Sequence, residues 1–569
     1  MDSESFDFVI VGGGLAGLVL AARLSEHRAN EILVVEAGDA QTQQHHDRIV
    51  VPGMWQTLLG SDADWDLRTV PQAVVNAWAD LGNEGWDWPA FAESMRRCFT
   101  FGRTGDGPIQ LSLPTDGGEW QRIWSETLAA HGFAMANASD LFSGRFCGGL
   151  VVPDTAHPDT KQRSFPVNTY LSEALGACRQ NLTVWTACRA NRVLFDGCDA
   201  RGGRVARGVE IVRNNGDVVS VAARKEVLIT AGALHSPGVL ERSGVGDAQR
   251  LSSLGIAPVV DNPYVGENLQ NHPVCVLGYQ MVEQEEGFDT TDQLARQDAS
   301  ALAAALEAYS KHQQGPLARG GVNVTTQLPL PSGAYDGQLL AALEAEPGPG
   351  QDKRATTAFD AAHASFVRSV LASQHRASCS YSLLPGLVSW ESNGSFVGPP
   401  PGSERYLSIL LCLAHPLSRG SVHIASDASE DLDPRYLTHP VDAEVLARHV
   451  QFARKLASTQ PLASLIKPGG EQRLPGSPDA DGLADLNEIR RYLGDTVIGL
   501  AHYTGTCAMM PRDMGGVVDP QLRVYGCANV RVCDASVIPI TPGTNPQATV
   551  YGVAERAADI VKPAHSDHE

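Results

Sequence analysis

The chain has 569 residues, of which 43% are hydrophobic and 19% charged, and its 56 Gly and 34 Pro indicate many turns. This composition is typical of a globular protein of about two or three domains and excludes a disordered tail or a small disulfide-stapled module. The 44 Lys and Arg against 65 Asp and Glu give a formal net charge of −21, and no basic run interrupts this excess. We therefore expect neither nucleic acid nor an anionic membrane as a partner.

The first apolar stretch, Phe8 to Ala22, is the only segment with features of a targeting signal. It is shorter than the roughly 20 residues of a membrane span, and acidic residues precede it where a signal peptide needs basic ones. The expected location is therefore cytoplasmic. The eleven cysteines suit this compartment as mostly reduced, buried thiols. Because Cys178, Cys188 and Cys198 lack the close spacing of zinc ligands, we predict no metal site.

A strand, a helix and a second strand follow each other at the N-terminus. Phe6 to Val11 (FDFVIV) is a continuous apolar run, which predicts a strand buried on both faces of a parallel sheet. Leu18 to Leu24 predicts a helix, and Glu31 to Glu36 (EILVVE) a second buried strand that ends in an acid. A G-x-G-x-x-G motif, from Gly12 to Gly17, joins the first strand to the helix.

Each residue of this motif has a physical reason. Gly12 permits the tight turn, Gly14 lets a pyrophosphate approach the backbone, and Gly17 lets the helix pack closely against the strand. The free N–H groups of the helix N-terminus face the phosphates, and Glu36 would accept hydrogen bonds from a ribose. The unit therefore predicts dinucleotide binding of the Rossmann type. The acid favours NAD or FAD over NADP, and the motif leaves the choice between NAD and FAD open.

A second strand and helix are predicted in the middle of the chain. Glu226 to Ala231 (EVLITA) has the pattern of a strand, and Gly232 to Gly246 (GALHSPGVLERSGVG) that of a turn and a short helix. In this interpretation Ser236 is the N-cap, Pro237 the first helical residue and Gly244 the end of the helix. Alone, this segment indicates only a capped helix in an α/β protein.

Further blocks follow in order, which are VGENLQNH (Val265–His272), HPLSRGSVHI (His415–Ile424), HYTGTCAM (His502–Met509), GGVVDPQLRVYG (Gly515–Gly526), VRVCDASVIP (Val530–Pro539) and GTNPQATVYGVAERAADIV (Gly543–Val561). With these blocks and the Gly232 block, the chain resembles the glucose-methanol-choline (GMC) family of flavin oxidoreductases from Phe6 to Val561. The resemblance implies bound FAD and oxidation of a small-molecule alcohol by hydride transfer to the flavin, which oxygen or another acceptor reoxidises.

The resemblance also implies an α/β fold with two discontinuous domains. The Rossmann-type FAD-binding domain would comprise residues 1–72, 181–274 and 495–569. A second, substrate-binding domain, built on an antiparallel sheet with helices, would comprise residues 73–180 and 275–494.

Two residues match the catalytic positions of the family. His502 matches the catalytic histidine, and a neutral imidazole with an ordinary pKa near 6.5 can take the hydroxyl proton as hydride leaves the same carbon. Asn545 matches the second position and would orient the substrate oxygen. Since Pro546 follows it, Asn545 also has the pattern of a helix N-cap, and the positive end of that helix would stabilise reduced flavin.

Other matched positions imply cofactor contacts or packing. Asp534 and Ala535 match a stretch that approaches FAD through backbone groups, although Asp534 is equally suited to a turn. For His272 and His415 we favour packing or turn roles.

One departure from the family follows Gln72. The family carries a Gly-Gly-Ser/Thr loop there, which covers the pyrophosphate and the flavin ring. Here Ala73 to Asn76 (AVVN) leads directly to Ala77 to Phe91 (AWADLGNEGWDWPAF), which matches the family again. Three explanations stay open, namely a wrongly spliced gene model, a divergent member that binds FAD weakly, and a member whose flavin is exposed. The alternative functions are a non-redox cyclase or isomerase that uses the old substrate pocket, and an inactive product of a truncated gene model.

Overall fold

A computed structural model describes residues 4–38, 49–54, 71–102, 105–113, 118–136, 144, 147–283, 288–319, 324–345, 357–390, 396–425, 429–473 and 485–565. Its α-helices are Leu15–Leu24, Gln72–Asp80, Trp88–Arg96, Gly118–Ala129, Ser172–Gly176, Gly232–Arg242, Ala248–Ser253, Asp292–Ala295, Ala299–His312, Gly337–Glu344, Ala358–Leu371, Pro440–Ala457, Leu486–Thr496 and Gln547–Val561. The chain is a mixed α/β protein, as predicted.

The first sheet contains the N-terminal strand–helix–strand unit. In sheet order its main path is Leu182–Trp185, Ile32–Val35, Ser5–Val11, Val218–Ile229, Arg204–Arg213 and Cys188–Cys198, and Val530–Val532 pairs with the end of Val218–Ile229. The pairs among the first four strands are parallel, and so is that of Val530–Val532. The last two strands extend the sheet as an antiparallel hairpin. The predicted Rossmann topology is therefore present.

Burial explains why the apolar runs form the centre of this sheet. Phe8 to Val11 and Ile32 to Val35 are buried along their whole length, because helices cover both faces of a parallel sheet. The long strand Val218–Ile229 changes character along its length, since its first half pairs antiparallel and its second half parallel. It thereby joins the hairpin to the dinucleotide unit.

The second sheet is mostly antiparallel. In sheet order its main path is Gln472–Arg473, Pro273–Gln280, Tyr406–Leu413, Cys379–Leu384, Val324–Leu328, Gly148–Val151 and Met135–Ala136, and Ile498–Gly499 pairs with Pro273–Gln280. Leu407, Ile409 and Leu411 pack on one face with the long helix Pro440–Ala457 in a second core. This agrees with a second domain built on an antiparallel sheet with helices.

Short strands form the remaining pairs and one small three-stranded sheet, namely Phe99–Phe101 with Ile109–Leu111, Val245–Gly246 with Val260–Asp261, Ser389–Trp390 with Phe396–Val397, and Glu267–Leu269, Gly420–Ile424 and Glu430–Asp433. All eleven cysteines are free thiols and most are buried, as predicted.

The predicted boundary at residue 73 does not separate the two cores. Trp78 and Phe91 follow it in sequence, yet they pack in the core of the first sheet. Helix Trp88–Arg96 also lies against helix Gln547–Val561, where Gly552 faces Phe91 and Met95. The domain boundaries themselves stay a prediction.

Candidate active site

The glycine-rich turn has little room for side chains. Gly12 has a φ of +108°, and a Cβ on it would lie 2.5 Å from the Thr230 carbonyl oxygen. A Cβ on Gly17 would lie 2.0 Å from the Gly12 carbonyl oxygen. Gly12 therefore serves the turn, and Gly17 brings helix Leu15–Leu24 close to it. The helix begins three residues earlier than predicted.

Gly14 and Glu36 face the open side of the turn. Gly14 is the N-cap of the helix, and among the residues that the structure describes no heavy atom lies within 4 Å of a Cβ placed on it. The Glu36 carboxylate accepts hydrogen bonds from Gly13 N at 2.7 Å and from Gly38 N at 2.7 Å. The acid at the end of the second strand is thus held beside the helix N-terminus, where a ribose next to a pyrophosphate would lie.

Asp534 connects two segments that are far apart in sequence. Its Oδ2 accepts hydrogen bonds from Gly232 N at 2.9 Å and Ser236 Oγ at 2.5 Å, and its Oδ1 accepts from Ser536 N at 2.8 Å. Burial raises the pKa of this carboxyl, and the hydrogen bonds oppose the rise. The Asp534 side chain is therefore engaged within the protein. Ala535 is partly exposed within an otherwise buried stretch.

The prediction that Ser236 caps the Gly232 helix is wrong. The helix begins at Gly232, its N-cap is Ala231, and Ser236 and Pro237 lie inside it. Because the bond from Ser236 to Asp534 crosses almost 300 residues of sequence, no local pattern could have revealed it.

A short pairing of two segments positions His502. Gln270 and Thr504 exchange backbone hydrogen bonds at 3.0 Å in both directions. Beside this pair, His502 N donates to Asn271 Oδ1 at 2.9 Å. The His502 main chain is therefore fixed by residues 270 and 271 of the VGENLQNH block.

The His502 ring meets a second histidine. Its Nδ1 lies 2.7 Å from the Nδ1 of His272, and the two rings are nearly perpendicular, at 86° with centroids 4.9 Å apart. Both side chains are buried. One hydrogen bond can join two Nδ1 atoms only when one ring donates and the other accepts. The packing or turn role expected for His272 is therefore incomplete, because the ring also contacts the candidate base.

The side chain of Gln270 holds the segment that leads to Asn545. Its Nε2 donates to Pro539 O at 2.8 Å, and its Oε1 accepts from Thr541 N at 3.0 Å. Asn545 follows in a buried stretch. The prediction that it caps the last helix is wrong, since Gln547–Val561 has Pro546 as its N-cap and no side-chain capping bond.

His415 has the packing role that we favoured. Its ring is buried and packs edge-on against Phe366, with centroids 5.1 Å apart. Burial lowers the pKa of His415 to about 3, so the ring is neutral at physiological pH.

Several buried polar atoms near these segments indicate that a bound molecule completes the site. Thr504 Oγ1, Thr541 Oγ1 and Gln547 Oε1 have no hydrogen-bond partner within the described part of the chain. Buried polar groups are almost always paired. A flavin ring, which carries several polar atoms, fits these three side chains, and the space before Gly14 fits its dinucleotide end.

The residues after Gln72 form an ordinary helix. Gln72–Asp80 is continuous, Val74 and Val75 are fully buried, and the Asn76 Oδ1 accepts a hydrogen bond from Trp88 N at 3.0 Å. Asn76 thus has a structural role at this junction. The stretch before it, 55–70, lies outside the described residues, and the predicted loss of a loop stays a prediction.

No helix among the described residues is long and apolar enough to cross a bilayer.

Comparisons with known proteins identify relatives along almost the whole chain. Two sequence models described as GMC oxidoreductase match residues 6–274 and 416–554. The chain is 31% identical to dehydrogenase citC of Monascus ruber, over 98% of this chain and 96% of that protein. This alignment runs over 625 positions, more than the 569 residues of this chain, so the relative contains residues that this chain lacks.

Two solved structures have the same fold. An FAD-dependent oxidoreductase from Chaetomium thermophilum is 25% identical with a TM-score of 0.83, over 98% of this chain and 99% of that one. A fungal aryl-alcohol oxidase is 26% identical with a TM-score of 0.77, over 100% of both chains.

Proposed function

The chain belongs to the GMC oxidoreductase family and is an FAD-dependent oxidoreductase, and from this premise we propose that it oxidises the CH–OH group of a small-molecule alcohol with His502 as the proton acceptor. The observation that best supports this role is the hydrogen bond between the Nδ1 atoms of His272 and His502, which lie 2.7 Å apart. FAD, when bound, supplies the acceptor for the hydride.

The residues of the glycine-rich turn would hold the cofactor. The N–H groups at the start of helix Leu15–Leu24 would bind the pyrophosphate, which approaches at Gly14. Glu36 would bind the adenosine ribose, since each carboxylate oxygen keeps a lone pair beyond the one used by Gly13 or Gly38. Backbone groups at Asp534 and Ala535 would face the cofactor from the other segment.

The histidine pair sets the tautomer of the base. When His502 donates its Nδ1 hydrogen to His272, the Nε2 of His502 carries no hydrogen and is the basic nitrogen of the ring. That atom can then accept the hydroxyl proton as the C–H bond breaks. His272 is thus a positioning residue, because it acts on the reaction only through His502.

Asn545 would orient the substrate. Its side chain is buried and does not serve as a helix cap, so its amide is available for a hydrogen bond to the alcohol oxygen. The helix that begins at Gln547 would place its positive end toward the same region.

Replacement of His502 tests the proposal. We expect His502→Ala to slow anaerobic flavin reduction by about 10²-fold to 10⁴-fold, the usual contribution of a positioned base. The assay is flavin bleaching by a panel of primary alcohols, which isolates the hydride step from the acceptor. The matched control is His449→Gln. His449 is equally buried but bonds Ser378 and Tyr381 in the second sheet, so the rate per bound flavin should stay within about threefold of the parent.

Equal rates in His502→Ala and the parent would contradict the role of His502. A parent enzyme that binds FAD but is reduced by none of the alcohols would favour the non-redox cyclase or isomerase instead.

A further inference from the structure

Three side chains that can bind a metal ion meet at the proposed catalytic centre. One ring nitrogen each of His272 and His502 and the Sγ of Cys412 lie within 4.8 Å of one another. Their exposed fractions are 0%, 6% and 3%. Two imidazoles and a thiol are a donor set that Zn²⁺ and Co²⁺ prefer.

Pairing of the main chain places these three side chains close together. Cys412 lies in the strand Tyr406–Leu413 and is in register with Val274 of the neighbouring strand, two residues after His272. His502 is held against the same segment by Asn271. Cys412 thus lies in one strand, His272 directly precedes the neighbouring strand, and His502 comes from a segment anchored beside His272.

We propose that His272, Cys412 and His502 form a binding site for a borderline-soft divalent cation such as Zn²⁺, with three protein ligands and an open fourth position. Zn–N bonds of about 2.0–2.1 Å place two nitrogens of a tetrahedral site about 3.3 Å apart. The two Nδ1 atoms, now 2.7 Å apart, need to separate by less than an ångström. Binding also requires that Cys412 release its thiol proton to solvent.

A cation bound at this site would prevent His502 from acting as the proton acceptor. A neutral imidazole that binds a metal through Nδ1 carries its hydrogen on Nε2. The hydrogen that His502 shares with His272 would therefore move to the His502 Nε2, which could no longer accept a substrate proton. This inhibitory consequence rests on the proposed function, whereas cation binding does not.

Zinc X-ray absorption of the full-length, flavin-containing enzyme tests the site. After Zn²⁺ loading and desalting, we expect one sulfur at about 2.3 Å and nitrogen neighbours at about 2.0–2.1 Å. Cys412→Ser should remove the sulfur and weaken Zn²⁺ affinity by at least about 100-fold, since even partners outside the first ligand shell contribute 10-fold to 100-fold.

The matched control is Cys275→Ser. Cys275 is also buried in the second sheet, but it packs in the core on the opposite face from Cys412, so its loss should leave the zinc–sulfur distance and the affinity unchanged. Circular dichroism and flavin content show whether each variant folds. If Cys412→Ser does not fold, the parent spectrum decides alone, because zinc with only nitrogen and oxygen neighbours overturns the proposal. Sulfur retained in folded Cys412→Ser overturns it as well.

The kinetic arm separates this proposal from the proposed function. Zn²⁺ should slow flavin reduction by alcohol, and a chelator should restore the rate. Sulfur-bound zinc in an enzyme that no alcohol reduces would leave the metal site standing and count against alcohol oxidation. Alcohol-dependent flavin reduction in an enzyme that retains no zinc would support alcohol oxidation and overturn the metal site.

Discussion

The closest approach in the glycine-rich turn is between residues 12 and 17 themselves, although Thr230, which follows the neighbouring strand, also crowds Gly12, whereas the histidine centre joins side chains that are 230 positions apart in sequence. In the turn, small residues are required because backbone atoms approach each other closely. In the centre, each contact depends on the docking of a distant segment. Local sequence therefore specifies the first region, and only the complete fold specifies the second.

The largest effect is expected for Gly17→Ala. The new Cβ would lie 2.0 Å from the Gly12 carbonyl oxygen, and backbone cannot yield as a flexible side chain can. We expect a loss of about 3 kcal/mol or more in the free energy of unfolding. Urea unfolding of the flavin-free protein measures it.

Gly14→Ala is the control that separates folding from cofactor binding. No atom of the described residues lies within 4 Å of its Cβ position, so the flavin-free protein should lose at most about 1 kcal/mol, the usual cost of Ala at a helix N-cap. FAD affinity should still fall, because the methyl group would occupy the space that we propose for the pyrophosphate. Equal stability losses in the two variants would contradict the local origin of the turn.

Next in size is Glu36→Ala, which removes a charge-assisted acceptor at the turn. We expect FAD binding to weaken by about 1.5–3 kcal/mol, measured as flavin retained at equilibrium dialysis. Glu31→Ala is the matched control, since Glu31 is exposed at the other end of the same strand and pairs with Arg224. Unchanged retention in Glu36→Ala would exclude the ribose contact.

A smaller effect is expected for His272→Asn. Flavin reduction should slow by about tenfold, at the low end for partners that orient a functional histidine, because Asn271 still fixes the His502 main chain. The pH at half-maximal rate should also move, since the shared hydrogen is lost. If His272→Asn changes the midpoint of thermal unfolding but leaves the pH profile of flavin reduction unchanged, His272 has only a packing role.

The smallest effect concerns another contact between distant segments. His423 Nδ1 lies 2.7 Å from Glu241 and its Nε2 2.9 Å from Glu267. Burial lowers the pKa of His423, but the hydrogen bonds that the ring donates to the two carboxylates outweigh burial and raise the pKa above 6.5. The stabilisation is therefore complete below the unfolded-state pKa and is lost as the pH rises through the folded-state pKa.

Unfolding free energies of the parent and His423→Gln across pH 5.5 to 9 measure this contact. The difference should shrink toward the alkaline end, where the ring loses its proton in the folded protein. A difference that is constant with pH would show that folding leaves the pKa of His423 unchanged, and would contradict the effect of the two carboxylates.

The difference between local contacts and contacts of distant segments explains which features the sequence could predict. The buried runs at Phe8–Val11 and Ile32–Val35 and the glycine spacing carry their structure locally, so the Rossmann unit was predictable to within three residues. The true start of the Gly232 helix, the partner of Ser236 and the ring contact of His272 were not predictable. Each depends on a residue brought near by tertiary packing, such as Asp534 or His502.

Gln270 has a consequence for how the enzyme loses activity. This single residue pairs with Thr504 through its backbone and with Pro539 and Thr541 through its side chain. Closing these contacts brings together segments separated by more than 200 residues, which makes them slow to form during folding. The Gln270–Thr504 pair is an isolated bridge outside the strands of either sheet, so its opening would leave the strand pairs intact. We therefore expect mild heating to inactivate the enzyme while its secondary structure is still intact, so residual activity reports the docking of these segments before any global unfolding begins.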